Sequence, residues 1–188
     1  MEAEAAPARI DAPLLVEREG GRLTLTLNRP QVFNALTHAM LGGLLLELRK
    51  AERDRDIRLV VLTGAGQAFC SGMDLSELKK SYESGQAPSY RDELGRHFNP
   101  LIRQIRRMEK PVLAAVNGVA AGAGASLALA CDLKLCAASA KFIPAFISVG
   151  LAPDSGFTFA LARGLGLSLG LEHAWTGKPI PARQAEEF

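Results

Sequence analysis

Leu23, Leu25 and Leu27 alternate with Thr24 and Thr26, the period of a strand with one buried face, and Asn28-Arg29-Pro30 ends it. Downstream, Met40, Leu41, Leu44, Leu45 and Leu48 recur at helical spacing while Glu47, Arg49 and Lys50 fall on the opposite side. That pattern predicts a helix over 37–53, with Thr37 as its cap. Leu59-Val60-Val61-Leu62-Thr63 is a continuous apolar run closed by Gly64, the pattern of a strand buried on both faces. Helices are expected over 75–82 and 90–108, the second carrying Leu94, Phe98, Leu101, Ile102 and Ile105 on one side. Val112–Val116 and Leu133–Cys136 read as further strands, with a helix over 125–130 between them. Strands alternating with helices imply parallel pairing through right-handed crossovers, an α/β fold.

Neither a repeat nor a low-complexity linker interrupts this pattern, so 13–188 is expected to form one domain. Residues 1–12, rich in Ala, Glu and Pro, read as a mobile tail and lack the basic start and apolar run of a signal peptide. Pro181 to Phe188 looks like the opening turns of a helix, from which a natural protein continuing beyond Phe188 is expected.

Composition acts mainly by exclusion. The 188 residues are 48% apolar and 22% charged, enough to bury a core. The 22 basic and 20 acidic residues are interspersed, and a net charge of +2 gives no footprint for nucleic acid or an anionic membrane. The basic run Arg103, Arg106, Arg107, Lys110 therefore reads as a solvated helix face rather than an RNA surface. Val112 to Cys131 is uncharged over nearly a bilayer's width, but Asn117-Gly118 and Gly122-Ala123-Gly124 break it into strand, loop and helix. Three cysteines, Cys70, Cys131 and Cys136, lack metal-ligand spacing and read as buried thiols of a cytoplasmic protein. His38, His97 and His173 read as isolated surface residues, so no metal site is expected.

Chemistry concentrates in two glycine-rich turns, each following an apolar strand. The first runs Gly64-Ala65-Gly66-Gln67-Ala68-Phe69-Cys70-Ser71-Gly72-Met73-Asp74-Leu75, the second Asn117-Gly118-Val119-Ala120-Ala121-Gly122-Ala123-Gly124. Glycine lets a backbone approach a ligand closely, and the helix that follows aims free N–H groups and a positive dipole end at it. Two such N–H groups on one carbonyl oxygen make an oxyanion hole, worth about 3–4 kcal/mol per donor. A nucleotide site fits less well, because Gly122-x-Gly124 lacks a third glycine and no Walker lysine follows either turn. Taken singly, each segment also reads as an ordinary tight turn.

Together the segments resemble the crotonase (enoyl-CoA hydratase/isomerase) superfamily, from about Leu14 to Phe188. Asn28-Arg29-Pro30 with Asn34-Ala35-Leu36 is similar to its N-terminal coenzyme A loop. Ala68 to Leu75 is similar to its first oxyanion loop, and Lys110-Pro111-Val112 through Cys131-Asp132 to its second. The resemblance implies a spiral of strand–strand–helix turns without the family's C-terminal helices, which complete the acyl pocket and the trimer. It further implies an acyl-CoA thioester substrate, no cofactor beyond the substrate's own coenzyme A, and a homotrimer or dimer of trimers. The oxyanion donors are then the backbone N–H groups of Met73 and Ala123. Val32, Phe33, Ala35, Ala68, Ser71, Asp74, Leu75 and Gly122 fall where the family holds coenzyme A or the thioester. Phe33 and Leu75 equally suit a core.

The family's hydratases use two glutamates. Here Ser126 stands at the first position and Phe146 at the second, and neither does general acid–base work at neutral pH. One carboxylate remains in the strip, Asp154 in Pro153-Asp154-Ser155-Gly156. By residue type alone it caps a helix over 157–163. The resemblance instead places it where single-aspartate members, ring and double-bond isomerases among them, face the acyl group. Phe142, Ile143, Phe146 and Phe157 then form an apolar pocket or simply core. Isomerisation through a dienolate is thus the expected reaction. The alternatives are hydration by another route, an aspartate-nucleophile dehalogenase or thioesterase, and a non-catalytic acyl-CoA scaffold. The dehalogenase reading lacks the family's aromatic set, the single Trp175 lying far along in a surface helix.

Overall fold

A computed structural model describes residues 12–83 and 89–186. The tail expected over 1–12 lies outside the described residues apart from Ala12. β1 (Leu14–Glu19) and β2 (Arg22–Leu27) make an antiparallel hairpin, and α1 (His38–Arg53) follows. Three passages then repeat one plan. In the first, β3 (Leu59–Gly64) and β4 (Ala68–Cys70) lead into α2 (Leu75–Glu83), α3 (Tyr90–Glu93) and α4 (Asn99–Arg107). In the second, β5 (Val112–Val116) and β6 (Val119–Ala121) lead into α5 (Ala123–Ala130). In the third, β7 (Leu133–Cys136) and β8 (Lys141–Ile143) lead into α6 (Phe157–Leu165) and α7 (Leu167–Thr176), before β9 (Ile180–Pro181) and α8 (Ala182–Glu186).

The long strands form a five-stranded sheet in the order β1-β2-β3-β5-β7, and the short ones a four-stranded sheet in the order β4-β6-β8-β9. Pairing is parallel from β2 to β7 and from β4 to β8, as the alternation of strands and helices predicts. The expected strand–strand–helix spiral is therefore present.

Register explains the core. Leu25 pairs with Leu62, which pairs with Ala114, and Leu23 pairs with Val60, which pairs with Val112. These rows share one buried cluster with Met40, Leu41, Leu44 and Leu48 of α1. Each fully buried leucine contributes about 2 kcal/mol. Thr37 caps α1 as expected, its hydroxyl accepting from the Met40 N–H at 3.2 Å.

Four expectations need correction. β3 is not buried on both faces: Leu59, Val61 and Thr63 are half-exposed, because the first sheet is fully covered on one side only. The helix expected over 90–108 is opened by a π turn at Leu94–Phe98. Pro100 lacks an N–H and crowds the carbonyl four residues back, so the helix widens just before it. Cys136 lies on the exposed edge strand β7, with only Cys70 and Cys131 buried. The loop expected after β5 contains β6, and no strand was expected at β1, β4, β8 or β9. Among the described residues no helix is long and apolar enough to cross a membrane. Within the basic run, Lys110 Nζ donates to the carbonyls of Ala51 (2.6 Å) and Asp54 and Arg106 to Ala130 (3.3 Å), while Arg103, Arg106 and Arg107 are exposed on α4 as a solvated face requires.

Candidate active site

The second sheet exists to hold the two glycine turns side by side. β4 and β6 pair directly, so the segment ending at Met73 runs beside the segment ending at Ala123. At Gly72, φ is +102°, and a side chain would meet the Ala121 carbonyl at 3.0 Å and the Ala123 nitrogen at 3.5 Å. At Gly124 an added Cβ would stand 2.5 Å from the Cys70 carbonyl and 2.7 Å from its sulfur. Only glycine permits this interlock.

The resulting backbone brings the Met73 and Ala123 N–H groups onto adjacent turns. Leu36 pairs with Met73 through Leu36 N–H to Gly72 C=O (2.8 Å) and Asp74 N–H to Leu36 C=O (3.0 Å). The Met73 N–H takes no part in that pairing. Ala123 is the first residue of α5, and the first intrahelical bond is Ser126 N–H to Gly122 C=O. Its N–H therefore belongs to the unsatisfied first turn, at the positive end of the helix. Gly122 itself is buried, its N–H donating to Ile143 C=O at 3.0 Å.

The loop over 29–36 lies against the first of these turns, held by Ser71 N–H to Phe33 C=O (2.9 Å) and Ser71 Oγ to Val32 C=O (3.2 Å). Of the residues expected to meet coenzyme A, Val32, Phe33, Ser71 and Leu75 are exposed. Phe33 and Leu75, at 55% and 57% exposure, are thus not core. Ala35 and Ala68 are buried beneath that surface. Asp74 is also buried, and its carboxylate is taken up by Arg29 (2.6 Å) and by the Ser76 hydroxyl (2.6 Å) and N–H (3.0 Å). Those bonds, led by Ser76, hold its pKa below the ordinary carboxylate value. Asp74 shapes the loop and caps α2.

Two asparagines quoted in the motifs prove to be the pins of the site, a role that sequence reasoning missed. Asn34, fully buried at φ +59°, accepts from Arg29 N–H (2.8 Å) and donates to the Ala65 (2.9 Å) and Ala68 (2.8 Å) carbonyls. Asn117 donates to Gly66 (2.9 Å) and Ala68 (3.2 Å) and accepts from Gly64 N–H (3.2 Å). The available signal was Asn's tolerance of left-handed backbone combined with donors and an acceptor on one side chain. Asn34→Ala should cost about 3 kcal/mol in urea unfolding, since it orphans buried backbone groups. A change below 0.5 kcal/mol, the scale of an ordinary surface substitution, would contradict the role.

Asp154 sits half-buried ahead of α6. Its side chain does not cap that helix; Gly156 is the cap residue, without a side-chain bond. Instead Ser155 Oγ donates to Asp154 Oδ1 at 2.8 Å, with Ser155 held at φ +51°, strained for a non-glycine residue. Burial raises the Asp154 pKa above the usual carboxylate value, and the Ser155 hydrogen bond only partly opposes it. Ser126, fully buried at the expected glutamate position, donates from Oγ to the Asp154 carbonyl at 3.2 Å. One side chain thus joins the first turn of α5 to the Asp154 backbone. Phe146 and Phe157 are buried and meet edge to face at 5.4 Å, Phe142 is buried, and Ile143 is half-buried. Behind Ser126 and Ser155 opens a cleft of about 960 Å³ lined by Ile102, Leu129, Phe142 and Phe159. The Asp154 carboxylate and the Met73 and Ala123 amides are not part of its wall.

The thiols take no part. Desolvation lifts Cys70 and Cys131 to about 12, so both stay protonated. Iodoacetamide on the native chain should alkylate Cys136 and spare the other two; modification of Cys70 without denaturant would contradict its burial. The histidines correct an expectation. His173 is buried, donating from Nδ1 to Lys178 C=O at 2.8 Å. Nor are His38 and His97 isolated: their rings stack at 4.0 Å beside Glu93. Residues far apart in the chain met there, which spacing does not reveal.

Comparison with known proteins bears on the family and the fold. A model of the Enoyl-CoA hydratase/isomerase family matches residues 17–188. The 1,2-epoxyphenylacetyl-CoA isomerase of Escherichia coli K12 is 44% identical over 175 residues, 93% of this chain and 66% of that protein. A probable enoyl-CoA hydratase of Rhodobacter capsulatus is 42% identical over 88% of this chain and 62% of its own length. The crystal structure of an enoyl-CoA hydratase from Polaromonas sp. JS666 superposes with a TM-score of 0.84 at 38% identity, covering 93% of this chain and 67% of that one. The chain thus spans about two thirds of the length of these relatives. With a matching family model, close relatives and a shared crotonase fold, the chain belongs to the enoyl-CoA hydratase/isomerase family.

Proposed function

We propose that this chain is an acyl-CoA isomerase that moves a double bond through a thioester dienolate, with Asp154 as its acid–base group. The observation that carries the reading is Asp154 itself: its carboxyl is half-buried with a raised pKa, and its backbone carbonyl is joined through the Ser126 hydroxyl to the first turn of α5. Ser126 and Phe146 occupy the two glutamate positions, which removes the water-activating pair of a hydratase.

Coenzyme A lies along the exposed surface of Val32, Phe33, Ser71 and Leu75, and the thioester oxygen accepts from the Met73 and Ala123 N–H groups. Asp154 takes a proton from one acyl carbon, and the electron pair flows through the conjugated system onto the thioester oxygen. Negative charge thereby moves from a poorly solvated carboxylate to an oxygen held by two fixed donors. The carboxylic acid returns its proton to a different carbon, the double bond shifts, and Asp154 is ionised again. No water or redox partner is consumed. A raised carboxyl pKa suits both halves of this cycle, because base and acid strength are balanced nearer neutral pH. The 44% identity to an isomerase of E. coli supports the same reading. Incubation with a 3-enoyl-CoA tests it: absorbance of the conjugated 2-enoyl thioester should grow with enzyme concentration. An unchanged spectrum, with acyl-CoA binding retained, would favour a scaffold instead.

A further inference from the structure

Away from Asp154, the start of α1, the first turn of α2, the end of α3 and the π turn before α4 bring four chemistry-bearing side chains together. His38, Glu93 and His97 each offer one ligand atom, all within 4.8 Å of one another and all partly accessible to solvent. The two imidazole rings stack with centroids 4.0 Å apart and planes 22° from parallel. His38 Nε2 meets Glu93 Oε1 in a short contact, and its other nitrogen, Nδ1, lies 3.3 Å from Glu77 Oε2. The same Glu77 oxygen accepts from the His38 backbone N–H at 3.1 Å.

We propose that His38, Glu93 and His97 bind a divalent transition-metal ion of the zinc class, with Glu77 orienting His38 behind them. Two imidazoles and one carboxylate are the donor set that zinc accepts with an open fourth position for water. A tetrahedral ion with donors at about 2.0–2.1 Å holds them roughly 3.4 Å apart, so on binding the donors, now within 4.8 Å, draw together and the stacked rings turn to aim at one point. Glu77 supplies the independent indication. A metal-binding histidine characteristically gives its second ring N–H to a carboxylate, which fixes the tautomer and frees the other nitrogen for the metal. Charge agrees as well: two carboxylates converge here, and a dication balances them.

The site's place in the fold gives it a consequence. His38 follows two residues after Leu36, whose pairing with Met73 forms one side of the oxyanion loop, and Glu77 lies in the helix that starts after Asp74. A bound ion would tie α1, α3 and the π turn together, with α2 joined through Glu77, and so stabilise the elements that flank that loop.

Zinc and cobalt(II) titrations of the metal-free chain test this. One equivalent should bind per chain by calorimetry, cobalt(II) should give the visible spectrum of a low-coordinate site, and saturating zinc should raise Tm by about 5 °C or more. His97→Gln, with an unchanged circular dichroism spectrum, should abolish all three signals. Glu77→Gln keeps the donor set and should weaken binding by about 10- to 100-fold. Asp154→Asn should bind as the wild type does. No saturable binding to the wild type would overturn the proposal. So would binding that survives His97→Gln, or that disappears in Cys136→Ser.

Discussion

Asp154→Asn should lower the isomerisation rate by about 10²- to 10⁴-fold while acyl-CoA binding stays nearly unchanged. The side chain keeps its size and can still accept from Ser155 Oγ, so the turn at Ser155 and Gly156 has no reason to rearrange. What disappears is the group that accepts a proton. Residual turnover above background would come from the two backbone donors, which remain in place.

The same variant should be more stable than the wild type at neutral pH. The folded carboxyl has a pKa above its ordinary value of 3.8, so between those two values the folded chain binds more protons than the unfolded chain. Stability therefore falls as pH rises through that window and stays reduced above it. Asn removes the cost, so Tm should rise at neutral pH and the difference should vanish below about pH 3.8. Asp74, whose pKa is lowered, acts in the opposite sense: its contribution is present above the unfolded value and is lost in acid. That acid loss should persist in Asp154→Asn. A variant that is inactive yet less stable at neutral pH would point to a structural role for the aspartate.

The second large effect is expected at Gly124→Ala. The new methyl would stand 2.5 Å from the Cys70 carbonyl, so α5 must move away from the first turn. Overpacking of this kind costs about 1–3 kcal/mol. The functional loss should be larger, because the displaced element carries the Ala123 N–H. Losing one well-placed oxyanion donor lowers kcat by about 10²- to 10³-fold. Its signature is a fall in kcat with KM little changed, since the donor matters most once charge has moved to oxygen. Gly42→Ala, on the exposed side of α1 where a methyl meets nothing within 4 Å, is the matched control and should leave kcat unaltered.

How much of this was legible in the chain follows from the range of each interaction. The alternation of Leu23, Leu25 and Leu27 and the helical stripe of α1 are local patterns imposed by one buried face, and both appear where expected. β4, β6 and β8 are three residues each, too short for any period to show, yet they align the two glycine turns. The π turn before Pro100 reflects a conflict between a helical pattern and a missing donor, which periodicity does not register. Asp154 illustrates the other limit. Its residue type favoured a helix cap, and the resemblance singled it out for the acyl site. The structure leaves its side chain half-buried and, among the described residues, hydrogen-bonded to Ser155, while Gly156 takes the cap position. Asn34 and the His38–His97 pair depend on partners distant in sequence, so residue type gave at most a hint at Asn34 and could not name the groups they meet.

The central claim is that one carboxylate moves a proton and no oxygen atom enters the product. The most direct measurement is mass spectrometry of the thioester formed from a 3-enoyl-CoA in heavy-oxygen water. The account predicts a 2-enoyl-CoA of unchanged mass, with no label in the product or in the Asp154 peptide. A labelled hydroxyacyl-CoA would show water addition, and label in Asp154 would show nucleophilic attack; either result would contradict the account.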